Sequence, residues 1–458
     1  MADPSTLRRA APPAPKFISG SILRHIIEMT GAGAFGLMAI FAGDLANIYF
    51  LSLAGDQDVV AAVGYASSIL FFSTSIGIGL SIAATALVSP ALGAGRRMRA
   101  RRLAVHAHVL TIAVSSVLSL ALWLNINGLL QLLGAKGRAL ELATIYLTIL
   151  LPTLPLLAAG MASIAVLRSA GDARRSMNVT LYGAIANFLL DLIFILHLGW
   201  GITGAAIASA LARFVIVGIG LYGSVRVHDL LGRPKFKTLV RDIPVFAKIA
   251  VPAVLTNVAT PVGNAYVTSA FAAFGNDAVA GWAIIGRIMP VAFGALYALS
   301  GSVGPIIGQN YGARQVQRMR DVLTTSLWVV VWFTAFAWVM LAIFSGTLAD
   351  AFRATGDARA LIVFFCQWLS PLFVFLGTLF VANAVFNTLG RAHYSTLFNW
   401  ARATIGTVPF VDYGAHLAGA HGALAGSMVG GIIFGIGAVF VGYRLIADLG
   451  DDFRQQGG

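Results

Sequence analysis

Two carboxylates in this sequence stand where a carboxylate is costly. Of the 18 acidic residues, only Asp44 and Asp191 fall well inside long apolar segments; the others sit in loops, tails or the outer turns of a segment. A charged side chain at the centre of a bilayer costs roughly 2.5 to 3.5 kcal/mol on insertion scales and usually marks an ion or substrate path. Asn47 follows Asp44 by three residues and Asn187 precedes Asp191 by four, so each carboxylate shares a helix face with an amide. Together they offer titratable groups and oxygen ligands suited to a proton, or to a sodium ion at Asp191 and Asn187. A second assignment stays open, in which the aspartates only tie helices together. Arg213, mid-segment and four residues after Ser209, could then neutralise one of them permanently. Arg287 and Arg402 lie nearer the ends of their segments, where snorkelling accounts for them. His106 and His108 stand beside an arginine cluster at the entrance of the third segment and read as interfacial.

Other chemistries lack their residues. The chain has no Gly-Lys-Ser/Thr phosphate loop, no His-Glu-x-x-His, and no Cys or His cluster at metal spacing. Its single cysteine, Cys366, reads as a small buried hydrophobe and excludes an intrachain disulfide. Neither an enzyme nor a cofactor is expected, and the loops are too short for an ATPase domain.

The elements that must position these groups follow from composition. The 458 residues are 58% hydrophobic and only 11% charged, with mean hydropathy +0.84, against about 25% charged in soluble domains. Lipid accommodates such a sequence, and the 50 glycines suit close helix contact within it. Apolar segments long enough to span run over 31–54, 60–90, 104–133, 140–167, 177–198, 201–224, 245–274, 278–308, 322–348, 360–387, 395–417 and 420–445, which predicts an all-α integral membrane protein of twelve spans.

Lysine and arginine gather before the first span and after the second, fourth, sixth and eighth, for example Arg96 to Arg102 and Arg233 to Arg241. That alternation predicts a multi-pass plasma (inner) membrane protein with both termini cytoplasmic. It also argues against nucleic acid as the partner of the +13 net charge, because the basic residues are spread over short loops. The expected organisation is a disordered cytoplasmic tail over 1–20, a six-helix bundle over 21–226, a linker over 227–243, a second six-helix bundle over 244–447 and a tail over 448–458.

The two bundles follow from an internal repeat. Gly93-Ala-Gly-Arg96 recurs as Gly312-Ala-Arg314, an offset of 312 minus 93, or 219. Leu167-Arg-Ser-Ala-Gly171 recurs as Thr388-Leu-Gly390, where 390 minus 171 is again 219. Gly201-Ile-Thr-Gly204 recurs as Gly419-Ala-His-Gly422 at 218. An even number of spans per half gives both halves one orientation. Parallel repeats of this kind place a substrate path between halves that rock against each other.

The motifs Ala61-Ala-Val-Gly64, Gly93-Ala-Gly95, Val166-Leu-Arg-Ser-Ala-Gly-Asp172, Asn187-Phe-Leu-Leu-Asp191, Gly204-Ala-Ala-Ile-Ala-Ser209 and Gly308-Gln-Asn-Tyr-Gly-Ala313, in this order, resemble the multidrug and toxic compound extrusion (MATE) transporters. The likeness runs from about residue 20 to 447. It implies a V-shaped pair of bundles that exports diverse, often cationic, organic compounds in exchange for protons or sodium ions. It further implies that Asn187 and Asp191 match a fifth-helix coupling pair, Tyr146 a fourth-helix tyrosine and Ser209 a sixth-helix hydroxyl. The first-helix aspartate of the family, counted from Gly55, falls on Asn47, with Asp44 one turn away. Acidic positions of the second bundle read Thr260 and Thr378 here. The proline early in the first helix of relatives is replaced at Gly33, so a hinge would use Gly31, Gly33 and Gly36.

The expected function is therefore secondary active multidrug efflux by a monomer, with small-molecule drugs or metabolites, protons or sodium ions, and the lipid bilayer as partners. Closing the cavity dehydrates Asp191 and disfavours its charge, so proton uptake and drug binding exclude one another. The alternative is a lipid-linked saccharide flippase of related architecture, which would line its cavity with several cationic residues.

Overall fold

A backbone surrounded by lipid must satisfy its own hydrogen bonds, and this sequence does so by helices throughout. The computed structural model describes residues 15–52 and 57–455, and no strand occurs among them. Residues 1–14 of the expected tail and the reference glycine Gly55 lie outside the described residues.

The first half contains α1 (Ile22–Ser52), α2 (Gln57–Gly93), α3 (Arg97–Leu124), α4 (Ile126–Leu132), α5 (Gly137–Leu150), α6 (Leu154–Ser169), α7 (Ala173–Asp191) and α8 (Gly201–Leu221). The second contains α9 (Phe236–Ala272), α10 (Asn276–Ala292), α11 (Gly294–Gly312), α12 (Val316–Ile343), α13 (Ser345–Ala351), α14 (Gly356–Phe364), α15 (Phe373–Thr388), α16 (Ala392–Ala403) and α17 (Val408–Gln455). Ten stretches are long and apolar enough to cross a membrane, and α10 with α11, bent by 50°, form a further span. The last stretch, Ala392–Gln455, has 64 residues; at 1.5 Å per residue it would be about 96 Å long, three bilayer thicknesses. It is broken after α16 and again inside α17 at Ala418 and Gly419, where Gly419 takes φ 59°. Counted as two crossings, it brings the total to the expected twelve.

The halves meet through α1 and α2 on one side and α9, α11 and α15 on the other. At the end carrying the basic loops, α2 and α11 cross with no room for a side chain. A Cβ on Gly93 would lie 1.9 Å from the Gln309 carbonyl oxygen, and one on Gly312 would lie 1.9 Å from that of Pro90. Residues 90 and 309 are themselves 219 apart, so the two contacts are images of one another under the repeat. The repeat is thus built into the packing.

Three expected boundaries shift. The disordered tail over 1–20 gives way by Lys16: Lys16–Ile18 form a short turn and Phe17 is fully buried. The Phe17 amide donates to Gln309 Oε1 at 2.8 Å, and Asn310 Nδ2 and Arg318 Nε donate to its carbonyl at 3.2 Å. On the other side Lys16 Nζ donates to the Gly171 carbonyl at 3.1 Å. The segment therefore straps the two halves together. The linker over 227–243 is shorter, because α9 begins at Phe236, and the tail over 448–458 is helical to Gln455.

α1 is one unbroken helix. Of its proposed hinge glycines, Gly31 faces open space, a Cβ on Gly33 would press on Ala298 of α11 at 3.2 Å, and one on Gly36 would overlap Thr180 of α7 at 2.2 Å. Gly33 and Gly36 thus act here as close-packing positions.

Candidate functional site

Asp191 ends α7, where the helix widens into π turns over Leu192–His197, a local geometry frequent at functional sites. Its side chain is 0% exposed. Oδ2 accepts from Asn187 Nδ2, one turn earlier, at 2.8 Å and from Asn47 Nδ2 on α1 at 3.0 Å. Oδ1 is buried with no partner. Leaving a buried acceptor unmatched costs about 1 to 3 kcal/mol, more if it is charged. The vacant oxygen thus carries a standing incentive to take up a proton or a cation. The amides can rotate to present oxygen in place of nitrogen, so the group fits either ion.

Asn47 occupies the position expected for a first-helix aspartate and is the residue that reaches Asp191. Asp44 is exposed on the same helix and forms no hydrogen bond or ion pair among the described residues. It remains close enough to act electrostatically on Asp191 and on Tyr146. Tyr146, buried on α5, meets Ser209 of α8 and lies within electrostatic reach of Arg213 and Asp191. Asp44, Asn47, Tyr146, Asn187, Asp191, Ser209 and Arg213 are therefore linked to one another in the first half by hydrogen bonds or electrostatic reach.

Arg213 has a different employment from the one left open above. Its Nη1 donates to the Leu150 carbonyl at 2.7 Å and to Thr153 Oγ1 at 2.6 Å, at the break between α5 and α6. Pro152 and Pro155 remove two backbone donors there, and the Leu151 carbonyl is taken by Ser119 Oγ at 2.5 Å. Arg213 forms no ion pair with an aspartate among the described residues, so Asp191 is left unneutralised.

Sequence reading missed a cation in the second half. Arg402 does not snorkel: it lies 10 residues into α16, about 15 Å along a helix that enters from the membrane end carrying the basic loops. Its Nη2 donates to Thr260 Oγ1 of α9 at 3.1 Å, its Nε is buried with no partner, and it forms no ion pair among the described residues. The signal was present in the distance of residue 402 from Arg391, the last basic residue before α16. Arg287 is exposed on α10. His108 is buried between the Ala104 carbonyl and Ser163 Oγ, and His106 is buried against Asp242 at 2.7 Å.

A cavity of about 1010 Å³ lies elsewhere, beside the Phe17 strap, with Arg24, His25, Arg97, Asp172 and His228 in its wall. Burial disfavours the charge on Asp172, but hydrogen bonds from His228 and from the Arg175 side chain and amide outweigh it and hold its carboxyl well below the usual range.

A duplicated, multi-pass helical protein with an unneutralised carboxylate buried in one bundle belongs to the secondary transporters. The MatE family model matches residues 34–193 and again 252–411, at an offset of 252 minus 34, or 218, and the chain belongs to that family. Its fold is similar to the Vibrio cholerae MATE transporter VcmN, with a TM-score of 0.88 and 26% identity over 92% of this chain and 96% of that one. An outward-facing MATE family multidrug resistance transporter matches with the same TM-score at 21% identity, over 95% of this chain and 99% of that one. Among curated relatives, a Shewanella oneidensis protein named FAD transporter is 28% identical over 93% of this chain and 96% of its own length. The multidrug export protein MepA of Staphylococcus saprophyticus is 23% identical over 72% of this chain and 73% of its own length.

Proposed function

We propose that this chain is a proton-coupled exporter of small organic compounds, working by alternating access, with Asp191 as the coupling group. The observation that carries the reading is Asp191 Oδ1, buried and unpartnered beside two amides that already satisfy Oδ2. A proton arriving at Oδ1 removes the buried charge and frees the chamber to close. Substrate binding from the other side favours the deprotonated, open chamber, and the alternation gives exchange. Asn47 and Asn187 orient the carboxylate, and Tyr146 with Ser209 closes its surroundings. A sodium ion in the same place would need the amides turned, and is the second reading. Basic loops on one face support cytoplasmic termini and a plasma membrane location.

The names of two relatives, one a multidrug export protein and one an FAD transporter, support organic cargo and leave the flippase alternative without a supporting observation. The test is efflux of ethidium from everted vesicles under a proton gradient and a sodium gradient imposed separately. Export driven by the proton gradient alone, and lost in Asp191→Asn at unchanged membrane expression, is expected. Retained efflux in that variant removes Asp191 from the mechanism, and a requirement for sodium moves the cluster to the ion-site reading.

A further inference from the structure

A guanidinium 10 residues inside a membrane-spanning helix needs a reason, since among the described residues Arg402 has no carboxylate within ion-pair distance and its buried Nε has no acceptor. A charge at this depth ordinarily pairs, faces a water-filled path or serves a ligand. Arg402 does not pair. Its one side-chain partner, Thr260 Oγ1, has a second lone pair and a hydroxyl proton to offer, and Thr260 itself is exposed. Tyr297 of α11, 36% exposed, lies within electrostatic reach of the guanidinium. The three residues come from α16, α9 and α11, and the last two of these helices line the boundary between the halves.

Two further features point to a ligand rather than a stitch. Directly after Arg402 the span is broken, with Thr404 at φ −107° and ψ −82° before α17 starts at Val408. Discontinuous helices at the midplane are where transporters of several folds hold their cargo. On the other side of Tyr297 stands the half-buried Phe380, at 5.1 Å between ring centroids, backed by the buried Phe373 at 6.2 Å and by Phe293 stacked on it at 4.1 Å. A fork of N–H donors beside aromatic faces is the complement of a planar ring carrying a phosphate or carboxylate.

We propose that Arg402, with Thr260 and Tyr297, forms an anion-binding station in the second half, which takes the phosphate or carboxylate of an aromatic organic anion on its way out. This deepens the exporter reading and rests on it for the direction of movement. Binding itself does not depend on that reading, which allows the two to fail separately. The bilayer midplane is remote from lipid headgroups, so the anionic oxygen comes with the cargo.

The experiment uses the full chain, purified in detergent and reconstituted. The probes are FMN, riboflavin (the same ring without phosphate) and ethidium. Wild type is expected to bind FMN about tenfold or more tighter than riboflavin, in keeping with a charged hydrogen bond to phosphate. Arg402→Gln is expected to erase that preference while leaving riboflavin binding and ethidium export unchanged, and Arg402→Lys to keep part of it. Equal affinity for FMN and riboflavin in wild type overturns the proposal. So does an Arg402→Gln variant that weakens both flavins alike, which would make the arginine a structural tie between α9 and α16. Ethidium export without an FMN preference sinks the station and leaves the exporter standing; an FMN preference lost in Arg402→Gln, with no export of any probe, does the reverse.

Discussion

The two halves of this protein share a fold and differ in the sign of the charged group that each leaves with a buried, unpartnered atom. In the first, Asp191 sits with one oxygen satisfied by two amides and the other by nothing. In the second, Arg402 sits with one nitrogen on a threonine and another on nothing. Subtracting 219 from 402 gives Gly183, and adding 219 to 191 gives Phe410, so neither charge has a counterpart at the repeated position. Duplication reproduced the helices and the glycine contacts between them, but not the chemistry. The work of one half need not be the work of the other.

Breaking the comparison at its acidic pole has the largest expected effect. Asp191→Asn is expected to bring uphill efflux of every substrate to background. Nearly as severe is Gly93→Leu, whose side chain cannot fit against the Gln309 backbone: efflux in vesicles is expected to fall by at least about tenfold. Gly431→Ala, at a glycine with nothing within 4 Å, serves as control and should transport normally. Arg402→Gln comes next and is selective, acting on anionic cargo alone.

Smaller effects sharpen the contrast between arginines. Arg213→Met removes two hydrogen bonds from the proline-broken α5–α6 span. It is expected to cost about 1.5 to 3 kcal/mol of stability, read as a lower melting temperature in detergent, without moving the pH dependence of efflux. A shifted pH profile would show that Arg213 acts on Asp191 after all. Asp172→Asn is the mildest. Because Asp172 ionises more readily folded than unfolded, its contribution is present above the unfolded carboxylate range and is lost as pH falls through the folded one. The melting-temperature gap between variant and wild type should be widest at neutral pH and narrow below about pH 4.

Much of this was legible beforehand, for physical reasons. Twelve spans follow from hydropathy, which lipid enforces, and the repeat offset of 219 reappears as reciprocal contacts of Gly93 and Gly312. Asp191 and Asn187 were legible because four residues on a helix make neighbours. That Asn47 rather than Asp44 would reach them depends on how α1 packs against α7, which helix spacing alone does not fix. Arg213 was ambiguous because a mid-span arginine can serve a carboxylate or a carbonyl, and the prolines at 152 and 155 decide for the carbonyl. Arg402 was misjudged because the expected span began at 395, whereas α16 begins at Ala392, so residue 402 was placed nearer the end than it is. The Phe17 strap was missed since a Pro- and Ala-rich leader gives no sign that one phenylalanine within reach of it will be buried.

The mirrored seating of Gly93 and Gly312 has an electrical consequence. In the alternating access proposed above, a rocking of one half on the other would lift each glycine from its partner's backbone in the same movement, because the two contacts are related by the repeat. A seam of that kind parts all at once or not at all, and offers no half-open slit for stray ions.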